Sequence, residues 1–294
     1  MMAWGKMDTK INIRKSLLAI WKEFVHNSGL VALGDVSALY ALSIILNIQV
    51  DISFFIVLIL SILAINYFNR YKEADQDILT NSERSTSVKK YFKFTPCIMA
   101  ALGLAAFVIT WIFASVGALI FMVILFGQGI IYTLFLKQVT KKIIGFKNFM
   151  TALPYGLLIF FLSIFYDVPI SSATILMAIF YFLRIFINTT FFDIKDIESD
   201  SKEGLKTFAA VVGEQGTKGL LLVINVLSLL PIVLGLYLGV LPIYSIGLLA
   251  TFFYVLLYLK DRNKLSRDNL YGVLVDSEFV FWLPYVFLLK SVVG

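Results

Sequence analysis

Apolar residues gather in nine long runs along the chain, at about 29–48, 52–69, 94–113, 116–136, 149–166, 172–192, 219–238, 241–259 and 273–292. Each comes close to the roughly 20 apolar residues that a helix needs to cross the hydrocarbon core of a bilayer. Closed barrels are the other structure able to span a membrane. Runs such as ISFFIVLILSILAI lack the alternation of apolar and polar positions that barrel strands carry. The pattern therefore predicts an all-α, polytopic membrane protein with nine transmembrane helices.

The polar connections sharpen that picture. Five Lys or Arg precede the first run, six follow the second, and four follow each of the fourth, sixth and eighth; the other connections hold none. Arg184, inside the sixth run, and Lys290, near the end, are the two exceptions. Because basic loops stay on the cytoplasmic side, this alternation predicts a cytoplasmic N-terminus and an outside C-terminus. It also supports the number of spans, since one span too many or too few would break it. Residues 1–294 read as a single integral domain of a cell or inner membrane. Within 1–28, Ile13, Leu17, Ile20, Trp21 and Phe24 recur at helical spacing. That segment predicts an amphipathic helix along the cytoplasmic surface, and no signal-peptide pattern of apolar core and cleavage site is visible in it.

Composition removes other classes of function. Of 294 residues, 60% are hydrophobic and 15% charged, with a mean hydropathy of +0.88, against about 25% charged in an ordinary soluble domain. A lone cysteine, Cys97, excludes an internal disulfide framework and a CxxC metal site, and a lone histidine, His26, excludes histidine-cluster metal chemistry. The net charge of +6 is explained by loop topology, so no nucleic-acid partner is expected.

The two longest basic connections also carry acids. NYFNRYKEADQD places Asn69, Glu73 and Asp77 at i, i+4 and i+8, one polar stripe if the helix continues. FFDIKDIESDSKEGLKTF places Asp193, Asp196 and Asp200 at i, i+3 and i+7, again one helical face. Like charges at these spacings destabilise a helix, and acids close to hydrocarbon are costly, so a cation should compensate them. Mg²⁺ takes carboxylate and amide oxygens and commonly bridges one or two carboxylates to substrate phosphates. Two such stripes at one membrane face suit a diphosphate held by metal ions; neutralisation by Arg70, Lys72, Lys195 and Lys202 is the plainer alternative. The clusters lie four helices apart, which a duplicated four-helix unit would explain.

DIKDIESD, with Gly204 and Lys206-Thr207 downstream, resembles the second aspartate-rich motif of the UbiA superfamily of intramembrane prenyltransferases, DxxDxxxD followed by Gly and Thr. The first cluster resembles that family's NxxxDxxxD motif, with Glu73 in place of the usual aspartate. The resemblance implies nine helices and Mg²⁺-dependent transfer of a polyprenyl group from polyprenyl diphosphate to an aromatic or lipid acceptor. Carried over by position, Asn69, Glu73 and Asp77 would hold one metal and Asp193, Asp196 and Asp200 the other. Asn69, Asp77, Asp193 and Asp196 would be the catalytic set.

The connection IYTLFLKQVTKKIIGFKN resembles the family's tyrosine and basic loop. Lys141 and Lys147, with Arg70 and Arg84 beside the first motif, are the expected diphosphate ligands, and Tyr132 is the aromatic residue expected nearest the reacting prenyl group. Arg184 lies inside an apolar run and needs a partner; Asn188, Asp35 and Asp276 are the candidates. Asp276 and Glu278 open the last run, where they would bind acceptor, serve as a base or pair with loop lysines. Two rivals stay open: a transporter whose acids form an ion path, and a catalytically impaired family member that binds lipid or assists assembly, to which Glu73 lends weight.

Overall fold

The computed structural model describes residues 20–21, 23–25, 28–73, 92–260 and 270–293. Among these every regular element is helical. The order is α1 (Gly29–Ile45), α2 (Ile52–Glu73), α3 (Thr95–Phe113), α4 (Val116–Leu134), a 3₁₀ turn (Leu136–Lys141), α5 (Phe146–Phe165), α6 (Ser172–Phe192), α7 (Ile197–Glu203), α8 (Phe208–Leu227) and α9 (Leu230–Tyr237). A 3₁₀ segment (Ile243–Leu249) then leads into α10 (Ala250–Leu259), and a π segment (Leu270–Val275) and a 3₁₀ segment (Asp276–Phe281) lead into α11 (Trp282–Val293). Residues 1–19, the bulk of the expected amphipathic segment, lie outside the description.

Six helical stretches are long and apolar enough to cross a membrane: 52–69, 95–113, 116–134, 146–165, 172–192 and 208–237. Gly29–Ile45 and Ile243–Leu259 are apolar but shorter. This is an integral, multi-pass membrane protein. The last apolar run, read as one helix from 273 to 292, is instead a π turn, a 3₁₀ turn and a short α-helix. The seventh begins at Phe208, earlier than its apolar run, and changes direction at Gly213, whose φ of 72° and ψ of 178° break the helix.

Three short connections are closed in the same way. After α1, α5 and α9, a residue in the left-handed region (Asn47, Asp167 or Gly239) is followed by an amide that reaches back five residues, Ile48 to Ser43, Val168 to Ser163 and Val240 to Gly235. This closure satisfies the carbonyls that a helix end leaves open. The first two connections also meet, because the Asp51 amide donates to the Tyr166 hydroxyl at 2.9 Å. They therefore share one end of the bundle, opposite the end where α6 delivers Asp193.

α6 is the centre of the bundle, with 61% of its span buried, whereas α3, with 11%, turns Leu104, Trp111 and Ile112 outward. α5 packs along α6 at Gly156, where an added Cβ would lie 3.0 Å from the Phe182 Cβ and 3.2 Å from the Ala178 carbonyl. Small residues permit this approach of two backbones in a membrane.

The buried cation of α6 finds a partner that none of the sequence candidates anticipated. Arg184, fully buried, donates through Nε at 2.8 Å and through Nη2 to Oε1 of Glu278, which is also fully buried. Its Nη1 donates to Asn225 Oδ1 at 2.6 Å and Ser228 Oγ at 3.2 Å, and Nη2 to the Thr251 carbonyl at 3.0 Å. All five donors of the guanidinium are used. Tyr258 donates to the other oxygen of Glu278 at 3.3 Å. Neither Asn188 nor Asp35 is the partner: Asp35 accepts from Tyr181 at 2.6 Å. Glu278 is thereby taken up in a structural pair, not left to an acceptor or a loop lysine. Removing one member of a buried pair costs about 3–5 kcal/mol because the other charge remains. Arg184→Met is expected to lower the thermal midpoint in detergent sharply, and Arg184→Met/Glu278→Leu to recover most of the loss; equal melting of both variants would contradict the pairing.

Candidate functional site

The second acidic cluster lies where α6 stops being a membrane helix. Past Phe192 the backbone tightens to three-residue bonds, with amides of Ile194, Lys195 and Asp196 donating to carbonyls of Phe191, Phe192 and Asp193 at 3.0–3.2 Å. Three residues per turn replace 3.6 there. Asp193, Asp196 and Asp200 consequently do not form the single helical stripe that their spacing predicts. Asp193 closes α6, Asp196 precedes α7, and Asp200 lies within α7.

The turn brings two of the three acids onto one cation. Lys147, in the first turn of α5, places Nζ 2.8 Å from Asp193 Oδ1 and 3.5 Å from Asp200 Oδ2. The second oxygen of Asp193 accepts from Asn148 Nδ2 at 2.7 Å. Asp193 and Asp200 are 2% and 5% exposed, so the lysine balances charges that are shielded from bulk water. The Thr207 hydroxyl, fully buried, hydrogen-bonds Asp200 and also accepts from the Ala210 amide as the N-cap of α8. Thus both ends of the GLKT segment serve the site: Gly204, at φ 71°, turns the chain off α7, and Thr207 returns it to an Asp.

Lys147 is held in register by backbone pairing. Lys206 donates its amide to the Thr140 carbonyl at 2.9 Å and accepts the Gly145 amide at 3.0 Å. Gly145 has φ 70°, and a Cβ there would lie 2.1 Å from the Phe208 ring. A side chain at that position meets both backbone strain and a ring. Gly145→Ala is expected to lower the thermal midpoint. Adding Phe208→Ala should recover only the part due to overlap, and full recovery in the double variant would show that the positive φ carries no cost.

The other expected site residues are placed as follows. Asn69 and Glu73 belong to α2, which continues past its apolar run as expected. Asn69 Oδ1 accepts from the Thr133 hydroxyl of α4 at 3.1 Å. Among the described residues, no hydrogen bond or ion pair joins Asn69 to the second cluster. Asp77, Arg84 and the side chains of Arg70 and Glu73 lie outside the description. Tyr132 is half-buried on α4 beside Thr133, and Lys141 is exposed at the end of the 3₁₀ turn. Asn148 was not singled out from sequence, although its place after Lys147 at the start of a helix was the available signal.

Among the described residues, no three Asp, Glu, His or Cys side chains converge as a metal cluster. Two carboxylates do converge on one positive charge, that of Lys147, and Mg²⁺ is commonly held by one or two carboxylates with water and phosphate oxygens completing its shell. The oxygen donors of Asp193 and Asp200 fit that demand.

Burial, partly offset by Lys147, pushes the Asp200 carboxyl up to about 6, with Asp193 adding to the rise and Thr207 opposing it. A raised carboxyl gives its stability in full below the ordinary value of 3.8 and loses it as pH rises through about 6. Without metal, the thermal midpoint is expected to fall between about pH 4 and about pH 6, and Asp200→Asn to flatten that fall. An unchanged slope in the variant would remove Asp200 as its source.

The sequence model of the UbiA prenyltransferase family matches residues 30–280. No curated protein matches the chain. Three solved structures share its fold. A digeranylgeranylglyceryl phosphate synthase is 19% identical, with a TM-score of 0.59 over 94% of this chain and 97% of the other. A UbiA homologue from Aeropyrum pernix K1 is 14% identical, with a TM-score of 0.62 over 92% and 96%. A UbiA homologue from Archaeoglobus fulgidus, bound to DMAPP and Mg²⁺, is 13% identical, with a TM-score of 0.65 over 92% and 98%.

Proposed function

The chain belongs to the UbiA prenyltransferase family, and on that premise we propose that it transfers a polyprenyl group from polyprenyl diphosphate to an aromatic or lipid acceptor, with Mg²⁺ at the acidic end of α6. The observation that carries this reading is the convergence of Asp193 and Asp200 on one cationic nitrogen. A homologue that holds DMAPP and Mg²⁺, and another that is a digeranylgeranylglyceryl phosphate synthase, support the donor and the lipid class of acceptor.

Asp193 and Asp200, with Asp196 beside them, are the ligands on this side, and Asn69, Glu73 and Asp77 those on the other. When bound, the ion would supply positive charge to the diphosphate oxygens. Lys147 lies against the same carboxylates, and a diphosphate beside them gives its ammonium a second set of oxygens. Lys141, Arg70 and Arg84 extend the basic rim, and Tyr132 offers an aromatic face below it. Asn148 holds Asp193 in one orientation, so the carboxylate need not be ordered when ligand arrives.

Diphosphate release from prenyl diphosphates in detergent or liposomes, with Mg²⁺ or with a chelator, tests the reading. Asp193→Asn is expected to reduce turnover by about 10²- to 10³-fold, the cost of losing one strong electrostatic contributor, with the thermal midpoint retained. Unchanged turnover in the variant, or turnover indifferent to the chelator, would overturn the assignment.

The same reading includes nine membrane crossings with the N-terminus and the acidic site inside. In a Cys97→Ser background, cysteines replacing Asp51 and Asp167, both exposed, should label from outside and one replacing Ser201 only from inside. Labelling of all three from one side would refute this orientation.

A further inference from the structure

Below the first motif lies a cavity between α2, α4 and α5. Asn66 and Gln128 line its upper end, Tyr155 its wall, and Leu58, Met122 and Phe161 its lower end. The upper end adjoins the candidate site on two helices. Asn66 stands one turn below Asn69 on α2. Gln128 donates to the Met150 carbonyl at 2.9 Å, one turn below Lys147 on α5. Gln128 Oε1 is buried with no hydrogen-bond partner. Downward the lining turns apolar and the cavity ends. Leu58, Met122 and Phe161 are only 2–3% exposed, and the Phe161 ring packs with Phe54, Phe121 and Phe165 at centroid distances of 5.8–6.3 Å. This aromatic plug lies at the end of the bundle opposite Asp193.

We propose that this cavity receives the prenyl tail of the donor, and that its floor of Leu58, Met122 and Phe161 restricts the donor to short chains of two or three isoprene units. The inference rests on the prenyltransferase reading and adds to it the length of the substrate. Depth gives the limit. From Asn69 to Leu58 there are eleven residues of α2, about 16 Å at the helical rise. An extended isoprene unit advances about 5 Å over its four C–C bonds, so three units reach the floor. The third unit lies at the mouth, between Asn66 and the diphosphate. The buried floor and the aromatic plug behind it keep water from the far end of the tail.

The test measures thermal stabilisation of the detergent-solubilised protein, with Mg²⁺ present, by inorganic diphosphate and by dimethylallyl, geranyl, farnesyl and geranylgeranyl diphosphates. Stabilisation should rise through geranyl or farnesyl diphosphate and then fall, with the four-unit donor binding at least about tenfold more weakly, as expected when surplus methylenes find no room. Phe161→Ala or Met122→Ala deepens the floor and should bring the four-unit donor to within about threefold of the best wild-type donor. Ser61 lines the cavity on α2 between Leu58 and Asn66, and Ser61→Phe, which fills that middle, should remove the advantage of geranyl over dimethylallyl diphosphate, leaving inorganic diphosphate unaffected. Met122→Ala and Ser61→Phe leave the aromatic plug intact, so the test survives if Phe161→Ala fails to fold. Equal binding of all lengths, or a length preference that none of the variants moves, overturns the pocket while leaving the donor reading standing. Failure of inorganic diphosphate and of every donor to stabilise the protein overturns the donor reading and the pocket with it.

Discussion

A guanidinium surrounded by hydrocarbon is tolerable only if every donor is satisfied, because an isolated ion in such a medium costs far more than a protein's net stability. Arg184 meets that condition with partners drawn from α8 and its C-terminal end, α10 and the segment before α11. The demand fixes more than a charge. It holds the C-terminal helices around α6 at one rotation and depth, since a shift of one residue along α6 would move the fork by about 1.5 Å and leave donors unmet. Asp193 lies nine residues further along the same helix. The constraint that pins the middle of α6 in the membrane therefore also fixes where its acidic end emerges.

That acidic end has its own requirement. Two buried carboxylates facing one lysine lose their hydration and repel each other, and burial first, with Asp193 adding to it, raises the titration of Asp200. Lys147 opposes the repulsion from a different helix, which is possible only because Gly156 lets α5 approach α6 and Gly145 turns the chain tightly ahead of α5. The lysine offsets one of the two carboxylate charges, so the set keeps a net negative charge that a further cation can take up. On the proposed function, a diphosphate carrying a divalent ion would bring both a cation for the carboxylates and anionic oxygens for the ammonium.

The membrane helices were legible from sequence because hydrocarbon imposes a length and an apolar composition that few other structures share. The acidic clusters were legible because charge beside an apolar run is conspicuous. Detail failed where backbone geometry or long-range pairing decides. Spacing alone laid Asp193, Asp196 and Asp200 on one face, but the helix tightens once it leaves the apolar run, and Asp200 reaches Lys147 instead. Arg184 plainly needed a counter-ion, yet its partner stands 94 positions away, and nothing local separated Glu278 from Asp276 or Asp35. The break at Gly213 was equally hidden, since it lies ahead of the apolar run 219–238, in a stretch that no helix was expected to span.

Polarity along the bundle gives these pieces a direction. Asp193, Asp200, the bridging lysine and the described basic connections at 137–147 and 195–206 lie at one end; the cavity below them turns apolar and stops at aromatic rings. A molecule with an anionic head and an apolar tail can satisfy both regions in only one orientation, because reversing it would bury the anion among Phe54, Phe161 and Phe165. Orientation is thus imposed by the gradient before any individual hydrogen bond is made. Fine positioning can then be left to the few residues where α2, α5 and α6 meet the water.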